Sequence, residues 1–278
     1  MTDTFGVRLR DRIQTLGPLC VGVDPSRRQL TLWERGDDIS GLEFFSLAML
    51  EASMGLAAAI KPQVAYFERF GSAGFRVLER LLSDARDARV LIVADAKRGD
   101  IGSTNEGYAE AWLTPGSPLA ADALTVTPYL GIDTMAPLVT TAAATARGLF
   151  VVVASSNDEG RVVQEARIDD ERRVKDVLLE RIAEWNRADE DLGTVGVVFG
   201  ATRDRPRFDL AHVNGPFLVP GVGEQGATPE HVARLFSGVP TSSLLVNVSR
   251  AIAGAGPDPR SVRDAVARWR DDLARALP

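Results

Sequence analysis

A (β/α)8 barrel, the TIM-barrel architecture, is the fold this sequence predicts, on three observations. Eight short apolar runs alternate with helical stretches along the whole chain. Each run is continuously apolar, as strands of a parallel sheet covered on both faces should be. Polar or charged residues follow nearly every run, which points to a rim built from all the strands and not to one switch point. A doubly wound open sheet is the alternative. The 278 residues show no composition break or linker, and they fit a barrel of about 250 residues, so 1–278 is expected to be one domain.

The chain opens with an amphipathic helix over residues 4–16, stopped by Gly17-Pro18. The first apolar run, 19–23, ends in Asp24-Pro25-Ser26. A helix at about 42–54 leads to the second run, 56–60, ending in Lys61-Pro62-Gln63. A long helical stretch, 65–83, precedes the third run, Val90-Leu91-Ile92-Val93, which ends in Asp95, Lys97 and Asp100. Thr104 is the expected N-cap of a helix at 105–113. The fourth run, 123–126, ends in Thr127-Pro128-Tyr129-Leu130-Gly131, and an Ala-rich helix at 134–146 follows. The fifth, 148–153, ends in Ala154-Ser155-Ser156-Asn157. Residues 158–170 have no clear period and read as a lid-like insertion ahead of a helix at 170–188. The sixth run, 193–199, gives way to an Arg/Asp-rich connection. The seventh, 216–219, ends in Pro220-Gly221-Val222-Gly223-Glu224-Gln225-Gly226, and Pro229 occupies the first position of the next helix. The eighth, 244–248, ends in Ser249-Arg250, and an amphipathic helix at 258–277 closes the chain.

Composition excludes several function classes. A net charge of −6 argues against a nucleic-acid binder, which needs a basic face. No run approaches the 18 or so apolar residues of a membrane helix, and the charged N-terminus has no signal-like region, so a cytoplasmic protein is expected. In that setting the Asn247-Val248-Ser249 sequon and the Arg98-Gly99-Asp100 tripeptide carry no meaning of their own. The single cysteine, Cys20, lies in an apolar run and is expected to be buried and inert.

Lysine usage is informative. Of 32 Lys plus Arg, only Lys61, Lys97 and Lys175 are lysines. Arginine does not release a proton in proteins, whereas an ammonium can. Two of the three stand at strand ends, while Lys175 lies in a polar helical stretch and is expected to be solvated. Asp95 and Lys97, two apart on a strand, should share a face. Charges at the end of a buried strand are costly unless paired, so a catalytic site is favoured there over a surface ion pair. With Asp24, Lys61 and Asp100 they form alternating charges at the ends of three neighbouring strands.

Gly221-x-Gly223-x-x-Gly226 matches a dinucleotide fingerprint only as a pattern, because the required acidic residue is missing from the next strand. In a barrel the loops after strands seven and eight commonly hold phosphate. Backbone amides of 221–226, Gln225 and the Arg250 fork are expected to form a phosphomonoester cup. A glycine turn beside a surface arginine is the plain alternative. A metal site is not expected: His212 and His231 are unpaired in spacing, and two lysines would oppose a dication held by Asp95 and Asp100. No Gly-x-Ser-x-Gly elbow supports a nucleophilic serine.

These residues also carry a family resemblance. Asp95-Ala-Lys97-Arg-Gly-Asp100 resembles the D-x-K-x-x-D signature of the orotidine 5′-phosphate decarboxylase superfamily, and D-A-K-R-G-D-I-G-S-T is similar to the decarboxylase itself. G-V-D-P-S at Asp24, A-I-K-P-Q at Lys61, P-Y-L-G at Pro128, P-G-V-G-x-Q-G at Pro220 and Arg250 follow in the family's order, so the resemblance covers nearly the whole chain. The length resembles the longer bacterial subgroup.

The resemblance implies decarboxylation of orotidine 5′-monophosphate to uridine 5′-monophosphate, the last step of pyrimidine synthesis, without cofactor or metal. It implies a charged tetrad of Lys61, Asp95, Lys97 and Asp100, with Lys97 as general acid toward C6 and Asp95 near the substrate carboxylate. Asp24 and Lys61 resemble ribose contacts, Ser156 the pyrimidine contact, and Gln225 with Arg250 the phosphate contacts. It further implies a homodimer in which Asp100, with Ile101 and Thr104, reaches the partner's site. A Mg²⁺-dependent sugar-phosphate aldolase or decarboxylase of the same superfamily is the runner-up, but Lys61 stands where a carboxylate ligand would be needed. A catalytically silent phosphate-binding barrel is disfavoured by the complete tetrad.

Overall fold

The computed structural model describes residues 3–277. Its strands are β1 (Leu19–Val23), β2 (Ala59–Pro62), β3 (Leu91–Arg98), β4 (Ala123–Val126), β5 (Gly148–Ala154), β6 (Val195–Phe199), β7 (Phe217–Val219) and β8 (Leu244–Val248). All pair in parallel and in sequence order, and β8 returns to β1 to close the barrel, with Cys20 opposite Asn247. The predicted fold class is therefore the observed one.

Alternation along the strands sorts side chains into two layers. Cys20, Ala59, Leu91, Val93, Ala123, Phe150, Val198, Leu218 and Leu245 form one buried cluster inside the barrel. Their neighbours Val21, Ile60, Ile92, Leu124, Val151, Val197, Val219 and Val246 belong to the larger cluster beneath the helices. The helix α1 (Phe5–Leu16) adds Phe5, Leu9 and Ile13 to the interior cluster, so it plugs one end of the barrel. Gly148 is needed there, because a Cβ would lie 2.1 Å from the Phe5 ring. With that end stopped, the opposite rim is where a ligand can enter. Continuing the same parity one step toward that rim reaches Lys61 on β2, Asp95 on β3, Thr125 on β4 and Asn247 on β8.

Several boundaries differ from the sequence reading. After β1 a short helix, α2 (Arg27–Leu32), is capped by Ser26, and α3 (Ile39–Ser53) by Asp38. β2 begins later than expected because 54–58 is still unwinding from α3 through Gly55, whose φ is +72°. That shift puts Lys61 within the strand. The helix expected at 65–83 is two, α4 (Ala65–Glu68) and α5 (Gly71–Asp87), broken where Gly71 takes φ +58°. α6 (Ser103–Leu113) starts ahead of Thr104, with Gly102 as its N-cap at φ +54°, so Thr104 is in the first turn and not the cap.

α7 (Ala136–Ala144) packs against β5 and α6. The insertion 158–170 is partly ordered: it holds α8 (Arg161–Gln164), and Arg167 bridges back to Arg173 ahead of α9 (Val174–Trp185). Lys175 is not solvated. It is 2 % exposed and its Nζ lies 2.7 Å from Glu165 Oε1, because the returning segment folds over the first turn of α9. α10 (Pro229–Leu235) has a Thr228 cap, and His231 Nδ1 accepts from the Thr228 amide. α11 (Arg250–Ala253) and α12 (Pro259–Ala276) complete the shell. Cys20 is fully buried, and desolvation pushes its thiol up to about 12. Asn247 of the sequon is 8 % exposed on β8, out of reach of a glycan-attaching enzyme. No helix among the described residues is long and apolar enough to cross a membrane.

Candidate active site

At the open rim, one carboxylate organises the charges. Asp95 Oδ2 accepts from Lys61 Nζ at 2.7 Å, and Oδ1 accepts from Lys97 Nζ at 2.6 Å and from Thr125 Oγ1 at 2.9 Å. Lys61 and Asp95 are buried, whereas the Lys97 side chain is 48 % exposed and faces the cavity. Lys97 arrives there by irregular backbone. The β3–β4 register shifts between Ala94 and Arg98, and Lys97 has φ +49°, a left-handed conformation that is strained for a lysine. Its amide donates to Thr125 Oγ1 at 3.0 Å, so one threonine holds both the carboxylate and the backbone of the lysine. Gln63 completes the arrangement when its amide is oriented to satisfy both ends, the nitrogen donating to the Asp95 carbonyl at 2.6 Å and the oxygen accepting from Lys97 Nζ at 3.2 Å.

Burial would push Asp95 up, but Lys61 and Lys97 more than reverse this and hold it below the ordinary carboxylate range. Burial likewise pulls Lys61 down, and Asp95 with Asp24 overcomes it, so its pKa stands above that of an ordinary lysine. Both groups stay charged in a site that excludes much of the solvent. Asp24 Oδ1 is buried and has no hydrogen-bond partner among the described residues, an acceptor facing the cavity that a ligand hydroxyl could satisfy.

The cavity has a volume of about 350 Å³, enough for a nucleotide-sized molecule. The structure brings Asp24, Lys61, Asp95, Lys97, Ser156, Gln225 and Arg250 together in its lining. Its far end is the loop after β7, where Gly221, Gly223 and Gly226 take φ of +98°, +86° and +90°. The sequence reading gave all the backbone amides of 221–226 to a phosphate cup, and the structure corrects this for two of them. Gly223 donates to the Ala227 carbonyl and Gly226 to that of Gly223, because the turn closes on itself through these bonds. Arg250 Nε lies 3.1 Å from Glu224 Oε2, with Arg28 4.0 Å from the other oxygen.

Asp100 and Thr104 are not brought into this cavity. Asp100 Oδ1 accepts from the Ile101 amide, and the Asp100 backbone is pinned by Asn105. Thr104 is exposed on α6, and Ile101 beside it is 58 % exposed. Neither histidine lines the cavity. Among the described residues no group of three or more His, Cys, Asp or Glu side chains is placed to share a metal ion.

Residues 17–266 match the model of the orotidine 5′-phosphate decarboxylase / HUMPS family. The orotidine 5′-phosphate decarboxylase of Streptomyces coelicolor is 46 % identical over 99 % of both chains. The chain belongs to the orotidine 5′-phosphate decarboxylase / HUMPS family. A Streptomyces avermitilis crystal structure matches it with TM-score 0.92 and 44 % identity, covering 99 % of this chain and 96 % of that one. The Leishmania donovani OMP decarboxylase structure matches with TM-score 0.75 and 30 % identity, covering 98 % of this chain and all of the other.

For a member of this family, the reading of strand-end charges missed several lining residues. Thr125 and Asn247 are the lone polar residues of the Ala-Leu-Thr-Val and Leu-Leu-Val-Asn-Val strands, and strand parity with Ala123 and Leu245 would have pointed both inward. Gln63 follows Lys61 by two residues and could have been found the same way. Glu224 carried no such signal, since its role depends on loop geometry.

Proposed function

We propose that this protein is a carboxy-lyase that converts orotidine 5′-monophosphate to uridine 5′-monophosphate and carbon dioxide, the last step of pyrimidine synthesis. The observation that carries the reading is Asp95 held between two lysines, one buried and one open to the cavity, opposite a glycine-rich loop with an arginine. Full-length likeness to curated decarboxylases supports the same activity.

In the proposed reaction the C6–carboxylate bond breaks, its electron pair stays on C6, and carbon dioxide leaves. The Lys97 ammonium gives its proton to C6 and regains one from water. A fixed ammonium stabilises the developing carbanion without reorganising, because its position is already set by Asp95 and Thr125. Asp95 lies beside the substrate carboxylate and disfavours it relative to a transition state that has lost that charge. Lys61 keeps Asp95 ionised and, with Asp24, meets the ribose hydroxyls. Ser156 contacts the pyrimidine, and Gln225 with Arg250 contacts the phosphate. No metal or cofactor takes part. Residues 1–278 act as one barrel domain in the cytoplasm, and two copies form a homodimer in which Asp100 and Thr104 enter the partner's site.

Protein treated with a chelator is expected to release carbon dioxide from orotidine 5′-monophosphate at its full rate. Activity that returns only with Mg²⁺ would sink this reading in favour of a metal-dependent aldolase or decarboxylase.

A further inference from the structure

The 155–157 segment, which carries Ser156, follows β5, whose pairing with β6 shifts register between Val152 and Ala154 and ends at Ala154 opposite Phe199. Beyond Ala154, whose carbonyl accepts from the Gly200 amide, no strand pairing holds it. Side chains from the loop after β6 take over. Arg203 Nε donates to the Ser155 carbonyl and Nη2 to that of Asn157. Thr202 Oγ1 donates to the carbonyl between them, Ser156 O, at 3.0 Å. Gly200 allows the close approach, since a Cβ there would lie 2.7 Å from Ser156 Cα. On the other side, the Gln164 amide accepts from Ser155 N at 3.1 Å and donates to Ser155 Oγ at 2.9 Å.

The Arg203 side chain is only 1 % exposed, and a carboxylate oxygen of the exposed Asp158 stands 3.8 Å from Nη1, beyond hydrogen-bond reach. Nη1 itself is buried without a hydrogen-bond partner among the described residues. A guanidinium enclosed this way, with no carboxylate bonded to it, is an unfavourable stability device. Its planar fork does suit two carbonyls two residues apart.

We propose that Arg203 is a positioning residue that fixes 155–157 so that Ser156 is presented to the base of the bound nucleotide. The inference rests on the decarboxylase reading for the identity of that base. It assigns a role in ligand discrimination to a residue that does not itself line the cavity.

Hydrogen–deuterium exchange on the unliganded R203K protein tests the clamp without reference to activity. Amides of 155–157 are expected to exchange faster while those of β1 to β8 are unchanged. In parallel, R203K is expected to raise the dissociation constant for uridine 5′-monophosphate about tenfold, the loss of roughly one hydrogen bond. That for ribose 5-phosphate, which lacks a base, should stay the same. Adding S156A to R203K should weaken the nucleotide no further than S156A alone. If R203K does not fold, T202V removes only the hydroxyl bond to the Ser156 carbonyl and should show the same selectivity at a smaller magnitude. Unchanged exchange, equal weakening of both ligands, or additive effects of R203K and S156A would each overturn the proposal. Failure of the decarboxylase reading shows separately, as no carbon dioxide from the wild-type protein, and the exchange result still decides the clamp.

Discussion

Lys97 Nζ lies 2.6 Å from Asp95 Oδ1 even though the strand stops being regular between them. Two residues of a flat strand share a face and leave their tips parallel. A left-handed Lys97 instead turns the ammonium back over the carboxylate and leaves it half in the cavity. Backbone strain of about 1–3 kcal/mol at such a residue is tolerated where the surroundings over-determine it, as Thr125 and Gln63 do here.

Lys97→Ala is therefore expected to lower kcat by at least about 10²–10⁴-fold, the range for a lost general acid. Binding of uridine 5′-monophosphate should persist. Lys97→Arg should lose as much, because a guanidinium keeps the charge and gives up no proton. Single-turnover kinetics alongside calorimetric titration measures both, and a Lys97→Arg variant near the wild-type rate would refute the proton-donor role.

At the phosphate end, Arg250→Ala is expected to weaken uridine 5′-monophosphate by roughly 1.5–3 kcal/mol, the worth of hydrogen bonds to a charged group, and to leave uridine binding unaffected. Glu224→Gln should act in the opposite direction, since Glu224 occupies Arg250 Nε at 3.1 Å in the unliganded protein. Isothermal titration of the nucleotide and the nucleoside distinguishes these effects. Equal losses for the two ligands would remove Arg250 from the phosphate site.

The charged pair also sets a pH signature. Asp95 has a folded pKa below its unfolded value of about 3.9, so its stabilisation is full above that pH and is lost as pH falls below it. Lys61 is raised above about 10.4, so its contribution is full below that pH and disappears as pH rises beyond it. Urea unfolding between pH 6 and pH 3 should cost the wild type more stability than Asp95→Asn. Above pH 10.4 it should cost more than in Lys61→Met. Parallel curves for wild type and variant would contradict the coupling.

Asp100 and Thr104 stand outside the cavity of their own chain. If they serve a partner's site, mixing inactive Asp100→Ala and Lys97→Ala proteins should recover up to about a quarter of wild-type activity. That is the share of sites combining both intact residues when subunits assort at random into symmetric dimers. No recovery after subunit exchange, checked by light scattering, would count against shared sites.

Most of the fold was legible because parallel strands buried on both faces are continuously apolar and polar residues cluster where they end. Lys61, Asp95 and Lys97 stood out for the same reason. Other features depend on contacts that no local pattern encodes. Lys175 looked like one more polar helix residue until Glu165 came over it from the returning segment. Thr104 resembled a cap, but Gly102 could take the positive φ that starts the helix earlier. The self-bonding of Gly223 and Gly226 and the Arg203 clamp are matters of loop geometry, visible only once strand ends are placed side by side.

The pairing of β1 with β8 has a consequence for how the protein is made. Asp24 and Arg250 follow the first and last strands of the barrel and line one cavity only because β8 docks on β1. A nascent chain still lacking β8 holds Lys61, Asp95 and Lys97 but has neither Arg250 nor a closed rim. Such contacts between distant segments form late in folding. Ligand recognition is thus deferred until β8 has been made and has docked on β1, and a product truncated before β8 is expected to bind no nucleotide.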